Sequence, residues 1–153
     1  MNDPTTRYPT LDQWVHLAAE ILTVDPATIR RAANLHLADS ALHAPQAGFD
    51  GHDAYPDLID KAAVLGWHLT NNHPLPDGNK RTAFIAMVVF IKLNGRTWTP
   101  PGQDDAVNTM LAVAGKNLGI DGLATRTVPT AATRRWETRH RDNHDDSAAA
   151  GVR

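Results

Sequence analysis

The sequence contains no cysteine, which excludes disulfide bonds, thiolate zinc sites and cysteine nucleophiles. It carries little net charge, formally -2 at pH 7, so electrostatics give no general reason to expect nucleic-acid binding. Its most apolar stretch, residues 84–93, is far too short to span a membrane, and the N-terminal residues lack the apolar core of a signal peptide. These absences predict a cytoplasmic protein without a membrane or nucleic-acid partner.

Apolar residues recur at helical spacing along most of the chain, and this pattern predicts an all-α fold. At 153 residues, the chain is expected to form one domain with a substantial core. The predicted helices cover residues 11–22, 26–37, 55–72, 79–93 and 103–117, with a short one at 120–128. Within the helix at 79–93, residues 84–93 are apolar on nearly every face, which indicates burial on all sides. The helix at 103–117 has one apolar face, formed by Ala106, Val107, Met110, Leu111 and Ala114.

Helical periodicity fails between residues 39 and 54, where glycines and a proline predict a long loop or a short hairpin. A loop of this length in a small domain is more often functional than idle. The last residues, 142–153, are polar and alanine-rich without an apolar period. We therefore predict a domain at residues 10–128, a C-terminal helix at 129–141 and a disordered tail at 142–153.

The most informative stretch precedes the apolar helix and concentrates polar residues at its start. Two prolines prevent a helix from running through this stretch, and Asp77 with Gly78 then forms a typical helix cap. Asn79, Lys80 and Arg81 fall in the first helical turn, where a cation costs roughly 0.3–1 kcal/mol against the helix dipole. Two cations beside unpaired backbone N–H groups indicate a bound anion, most simply a phosphate.

The residues around this anion position have the chemistry that phosphoryl or nucleotidyl transfer needs. His73 can take a proton from an attacking hydroxyl, and the carboxylate of Asp77 can hold magnesium. A zinc site is excluded, because the prolines remove the helical geometry and no third ligand stands nearby. The same residue types are also typical of an ordinary turn and cap, so residue types alone leave both interpretations open.

The string HPLPDGNKRTA, from His73 to Ala83, closely resembles the signature of the Fic/Doc family, and specifically its Doc (death-on-curing) branch. The Fic branch pattern reads His-x-Phe-x-(Asp/Glu)-Gly-Asn-Gly-Arg-x-x-Arg. Lys80 stands at its second glycine and Phe84 at its final arginine, both as in Doc-like proteins, while Leu75 replaces the usual phenylalanine. The resemblance covers about residues 10–125.

The resemblance implies a compact helical bundle around one buried central helix, with a flap loop or short hairpin near the active site. The flap, at residues 42–51, would position a protein substrate by pairing with its backbone. His73 would be the catalytic base and Asp77 the magnesium ligand. The resemblance further implies an ATP-binding anion nest formed by Gly78, Asn79, Lys80 and Arg81, of which Lys80 and Arg81 also belong to the catalytic residues.

The activity implied is that of an ATP-dependent protein kinase. Doc-type toxins transfer the terminal phosphate of ATP to a threonine of elongation factor Tu, a translation factor, whereas Fic proteins transfer AMP. Lys80 at the glycine position and the missing final arginine favour phosphate transfer. Two alternatives remain: AMP transfer from the same site, and a non-catalytic module that binds nucleotide or a partner. The intact His73 and Asp77 argue against the module.

The family also implies a device that restrains the toxin, either an inhibitory glutamate helix or a partner antitoxin. The inhibitory motif reads Ser/Thr-x-x-x-Glu-Gly/Asn. The sequence has two glutamates, Glu20 and Glu137, and neither fits this motif fully. A separate small antitoxin protein is therefore the expected partner.

Overall fold

The computed structural model describes residues 5–96, 98 and 102–127. In this part of the chain, seven α-helices and one small antiparallel hairpin form, which confirms the predicted all-α class. The predicted segments 129–141 and 142–153 lie outside the described residues. The helices are α1 (Leu11–Leu22), α2 (Pro26–Ala32), α3 (Leu35–His43), α4 (Leu58–Asn72), α5 (Asn79–Leu93), α6 (Gln103–Ala114) and α7 (Ile120–Thr127), and the hairpin pairs β1 (Gly48–Phe49) with β2 (His52–Asp53).

Helix α1 begins with the capping box that its sequence predicts. The hydroxyl of Thr10 accepts a hydrogen bond from the backbone N–H of Gln13 at 3.1 Å. In return, the side chain of Gln13 accepts from the backbone N–H of Thr10 at 3.0 Å. Two of the unpaired N–H groups at this helix start are thereby satisfied. The helix buries Trp14, Val15 and Ala18, which form its inner face.

The prediction of one helix over residues 26–37 is wrong, because the helix is interrupted between α2 and α3. Asn34 caps α3, and its Oδ1 accepts a hydrogen bond from the backbone N–H of Leu37 at 3.1 Å. The backbone N–H of Asn34 donates to the carbonyl of Pro74 at 2.8 Å. Asparagine suits a cap better than a helix interior, and the bond to Pro74 holds the break in place.

The predicted loop at residues 39–54 also begins too early. Helix α3 continues to His43 and buries Ala41 and Leu42 against the core, so the flap predicted at 42–51 cannot include Leu42. The inner face of this turn is formed largely by alanines, which are only weakly apolar, so the hydrophobic periodicity did not indicate a helix here. A hairpin does follow, and its two-residue turn at Asp50 and Gly51 has positive φ at both positions, as a type I′ turn requires.

The core centres on α4 and α5, which pack against each other, with α4 also contacting α3, α6 and α7. Helix α4 is buried over most of its length. Helix α5 is less enclosed than predicted, since Val89 is 40% exposed. None of the described helices combines the length and apolar character needed to cross a membrane.

Helices α4 and α5 approach closely at Gly66, where a Cβ atom would overlap with the Sδ of Met87. We expect Gly66→Ala to lower the free energy of unfolding by about 1–3 kcal/mol, because the added methyl overpacks the core. Urea denaturation measures this change. The control is Gly119→Ala, whose methyl meets nothing within 4 Å and is expected to cost less than about 1 kcal/mol. Equal losses at both glycines would contradict the close approach.

Candidate functional site

The site begins where α4 ends. His73 follows the helix in the left-handed conformation, with φ 52° and ψ 54°, and its side chain is exposed. A non-glycine residue pays about 1–2 kcal/mol for this conformation. The turn is held from outside, because Pro74 accepts the backbone N–H of Asn34 and Asn72 Nδ2 donates to the carbonyl of Leu37 at 3.1 Å. Hydrogen bonds to the first residues of α3 and its cap therefore hold the chain on both sides of His73.

A reciprocal pair of hydrogen bonds closes the turn between α4 and α5. Asn79 Oδ1 accepts from the backbone N–H of Leu75 at 2.9 Å, and Asn79 Nδ2 donates to the carbonyl of Leu75 at 2.7 Å. Asn79 is only 6% exposed, and Leu75 fills the buried apolar position expected from the motif. The Asn79 side chain is thus committed to the turn. Its predicted part in the anion nest stays a prediction and is carried by its backbone N–H.

The start of α5 offers unpaired N–H groups to a ligand. Gly78 precedes the helix with φ 82°, and a Cβ there would lie 2.5 Å from Cδ2 of Leu22 at the end of α1. Only glycine meets both constraints without strain. Asp77 Oδ1 accepts from the backbone N–H of Gly78 at 2.8 Å, but no side chain caps the first turn itself.

Lys80 and Arg81 lie exposed in this first turn, which contains no acidic residue. Within the described residues, neither cation forms an ion pair with a carboxylate. Both the helix dipole and the two side chains therefore favour negative charge at this end of α5. Burial lowers the pKa of His68, on α4, below its usual value.

The motif residues from Asp77 to Arg81 line a cavity of about 580 Å³ between the start of α5 and helix α6. His73 is not among the lining residues, so the structure brings together the residues predicted to bind an anion and leaves the histidine on the exposed turn before them. Apart from Gln103, the rest of the lining is apolar and consists of Phe84, Ala106, Val107, Met110 and Leu111.

Sequence reasoning missed the role of α6 in this cavity. It placed Val107 and Leu111 on one apolar face without saying what covers that face, and each of them is 51% exposed. Only Met110 and Val113 of this helix are buried. The sequence did contain an indication of this role, because the apolar face of α6 is wider than contact with the core alone requires.

Asp77 is the residue that suits a metal ion in this site. One carboxylate oxygen accepts the N–H of Gly78, and the side chain is exposed at the cavity. In the described part of the chain, no group of three or more histidine or acidic residues could hold a metal alone. A magnesium ion fits a single carboxylate when phosphate oxygens and water complete its octahedron.

The strained backbone at His73 makes a testable prediction. We expect His73→Gly to be more stable than His73→Ala by about 1 kcal/mol, because the left-handed backbone conformation is unfavourable for alanine and not for glycine. Urea denaturation of both variants measures the difference. The control pair is His16→Gly and His16→Ala, on the exposed face of α1, where alanine is expected to be the more stable by about 1 kcal/mol. The same order at both histidines would contradict strain at position 73.

Two comparisons with known proteins bear on the family of this chain. The model of the Fic/DOC family matches residues 8–91, which include α1 to α4, most of α5 and the whole motif. Toxin Doc of Mycolicibacterium smegmatis is 42% identical over 97 residues, covering 63% of this chain and 75% of that protein. The family match spans more than half of the chain, so it extends well beyond the motif. The chain therefore belongs to the Fic/DOC family, in its Doc branch.

Proposed function

We propose that this protein is a Doc-like toxin, a kinase that transfers the γ-phosphate of ATP to a serine or threonine hydroxyl of a translation factor such as elongation factor Tu. The observation that carries this proposal is the start of α5, where unpaired N–H groups lie beside the exposed Lys80 and Arg81 in a first turn that contains no acidic residue. Cations at the N-terminus of a helix are unfavourable, because the helix dipole is positive there, unless an anion binds beside them. A phosphate group supplies that anion.

The cavity supports a nucleotide in preference to a free phosphate. Beyond the cationic end it continues along apolar side chains, among them Phe84, Val107 and Leu111. A volume of about 580 Å³ lies within the usual range for small-molecule sites, roughly 300–1,000 Å³. The polar end would receive the phosphates, and the apolar wall would receive the base or ribose of ATP.

In the proposed reaction, the target hydroxyl oxygen forms a bond to the γ-phosphorus while the bond from that phosphorus to the bridging oxygen of ADP breaks. His73 accepts the hydroxyl proton as general base. Lys80 and Arg81 bind the oxygens of the transferred group, together with the backbone N–H groups that follow Gly78. Asp77 would hold magnesium, which neutralises phosphate charge when it is bound.

Phosphate transfer is favoured over AMP transfer by two positions of the motif. Lys80 occupies the position of a glycine in the Fic pattern, and it lines the cavity. Phe84 replaces an arginine one turn later and adds apolar surface where the Fic pattern has a charge. The pocket therefore holds one phosphate group tightly and has fewer contacts for an inner phosphate. AMP transfer remains the second candidate, because the base and the metal ligand are common to both reactions.

A small antitoxin is the proposed partner, and the cytoplasm the proposed location. The relative from Mycolicibacterium smegmatis is named a toxin. Of the two glutamates, Glu20 lies exposed on α1 and is not among the residues that line the cavity. Restraint by a separate protein then accounts for the poor fit of this chain to the inhibitory glutamate motif.

The activity is tested with ATP labelled at either the γ- or the α-phosphate. Purified protein is incubated with magnesium and elongation factor Tu, and with whole cell lysate in parallel. We expect γ-label on elongation factor Tu, reduced at least about a hundredfold in His73→Ala, since a general base contributes about 10²–10⁴-fold. Label from the α-phosphate would establish AMP transfer instead. If neither label is transferred although ATP binds, the protein is the non-catalytic binding module instead.

Lys80 provides a second test of the site. We expect Lys80→Gly to slow phosphate transfer about tenfold or more, because it removes a charged hydrogen bond to the transferred group. The control is Lys92→Gly, the same substitution in the last turn of the same helix, where the lysine is exposed. Initial rates with γ-labelled ATP measure both variants. Unchanged rate and unchanged label in Lys80→Gly would refute the assigned role of Lys80.

A further inference from the structure

Lys61 is a charged residue in the core of this protein. It lies near the start of α4, and only 1% of it is exposed. An unpaired ammonium group in such a place costs several kcal/mol, so its partners matter. Nζ donates to the carbonyl of Pro45 at 3.2 Å and lies 3.4 Å from Oδ2 of Asp53, while the ring of Tyr8 lies 5.7 Å away.

These partners belong to the two ends of the hairpin. Pro45 is buried just before β1, and Asp53 is the last residue of β2, with its side chain almost fully buried. The backbone N–H of Ala54 donates to the carbonyl of Ala47 at 2.9 Å and closes the hairpin beside them. The ammonium group of Lys61 therefore joins both ends of the hairpin to helix α4.

Beyond this base the hairpin is exposed. Residues 47–52 all face solvent, and Phe49 is 87% exposed, the most exposed of the large apolar side chains in the described residues. The type I′ turn gives the hairpin a defined shape but does not direct it relative to the helices. Its direction depends on what holds the base.

We propose that Lys61 is a positioning residue that fixes the direction of the hairpin and thereby the affinity for the protein substrate. The proposal rests on the proposed function and on the family resemblance, which implies that this loop pairs with the backbone of the protein substrate. Helix α4 carries Lys61 near its start and ends directly before His73, twelve residues further on. At 1.5 Å per residue, the anchor and the base are about 18 Å apart along one rigid helix.

A charged anchor differs from an apolar one in its directionality. Two apolar surfaces can slide or rotate with little loss, whereas an ammonium group shared between a carbonyl and a carboxylate restricts the angles of both. Without Lys61, the buried carboxylate of Asp53 would lose the ammonium group that lies 3.4 Å away, and the carboxylate would be drawn outward toward water. That movement carries β2 with it and reorients the hairpin.

The test uses Lys61→Met, which preserves the length and apolar stem of the side chain. We expect amide hydrogen exchange to rise about tenfold or more at residues 47–54, because their local stability is lost, while residues 79–84 keep their wild-type exchange. With γ-labelled ATP, we expect KM for elongation factor Tu to rise about fivefold or more, with kcat and KM for ATP within about twofold of wild type. Lys92→Met, at an exposed lysine, is the matched control and leaves every value unchanged.

A double variant, Lys61→Met with Asp53→Asn, separates positioning from stability. It also removes the buried negative charge of Asp53, so it folds even where Lys61→Met does not, yet it lacks the directional anchor. A raised KM and fast exchange in this variant support the proposal. Wild-type values of both would overturn it.

Failure of the proposed function has a different signature. If the wild type labels no protein, the kinase proposal fails, and hydrogen exchange of the hairpin alone decides the role of Lys61. Unchanged exchange in Lys61→Met then overturns the anchor, whereas fast exchange confined to residues 47–54 supports it.

Discussion

The close packing of α4 against α5 is the constraint on which the rest of this structure depends. Gly66 lets the two helices approach until Met87 fills the space where a side chain would lie. Only six residues, 73–78, connect the end of α4 to the start of α5. Because the helices are fixed by their core contact, this short connection must adopt one shape, and that shape holds the candidate site.

The shape of the connection is costly and is stabilised by contacts around it. Its first and last residues, His73 and Gly78, both have positive φ. Glycine takes this conformation freely, but histidine does not, so the strain lies at the proposed base. The Asn79–Leu75 hydrogen bonds hold the turn from inside, and the bond between Asn34 and Pro74 holds it from α3. A buried amide and a helix cap thus contribute to the site without contacting a ligand.

Much of the site was predictable, because its residues are contiguous in the chain. The order from Asp77 to Arg81 indicated an anion at a helix start, and the structure places these residues along one cavity. The hairpin was predictable as a possibility, since its glycines suit a tight turn. The break at Asn34 was missed because its bond to Pro74 joins distant parts of the chain. The exposure of Val107 and Leu111 was missed because periodicity reports an apolar face without saying what covers it.

The sequence by itself determined the all-α class, the family signature and the residues that favour an anion at the start of α5, since these follow from local spacing and side-chain chemistry. Tertiary structure alone decided that the Asn79 side chain binds the turn, that α6 forms the apolar wall of the cavity and that Lys61 joins the hairpin to α4. Each of these depends on contacts between separate elements or across a turn, and spacing along the chain does not encode which surfaces meet. The burial of Lys61 shows the difference clearly, because a lysine in a helix is ordinarily a solvated residue and becomes an anchor only when its neighbours close over it.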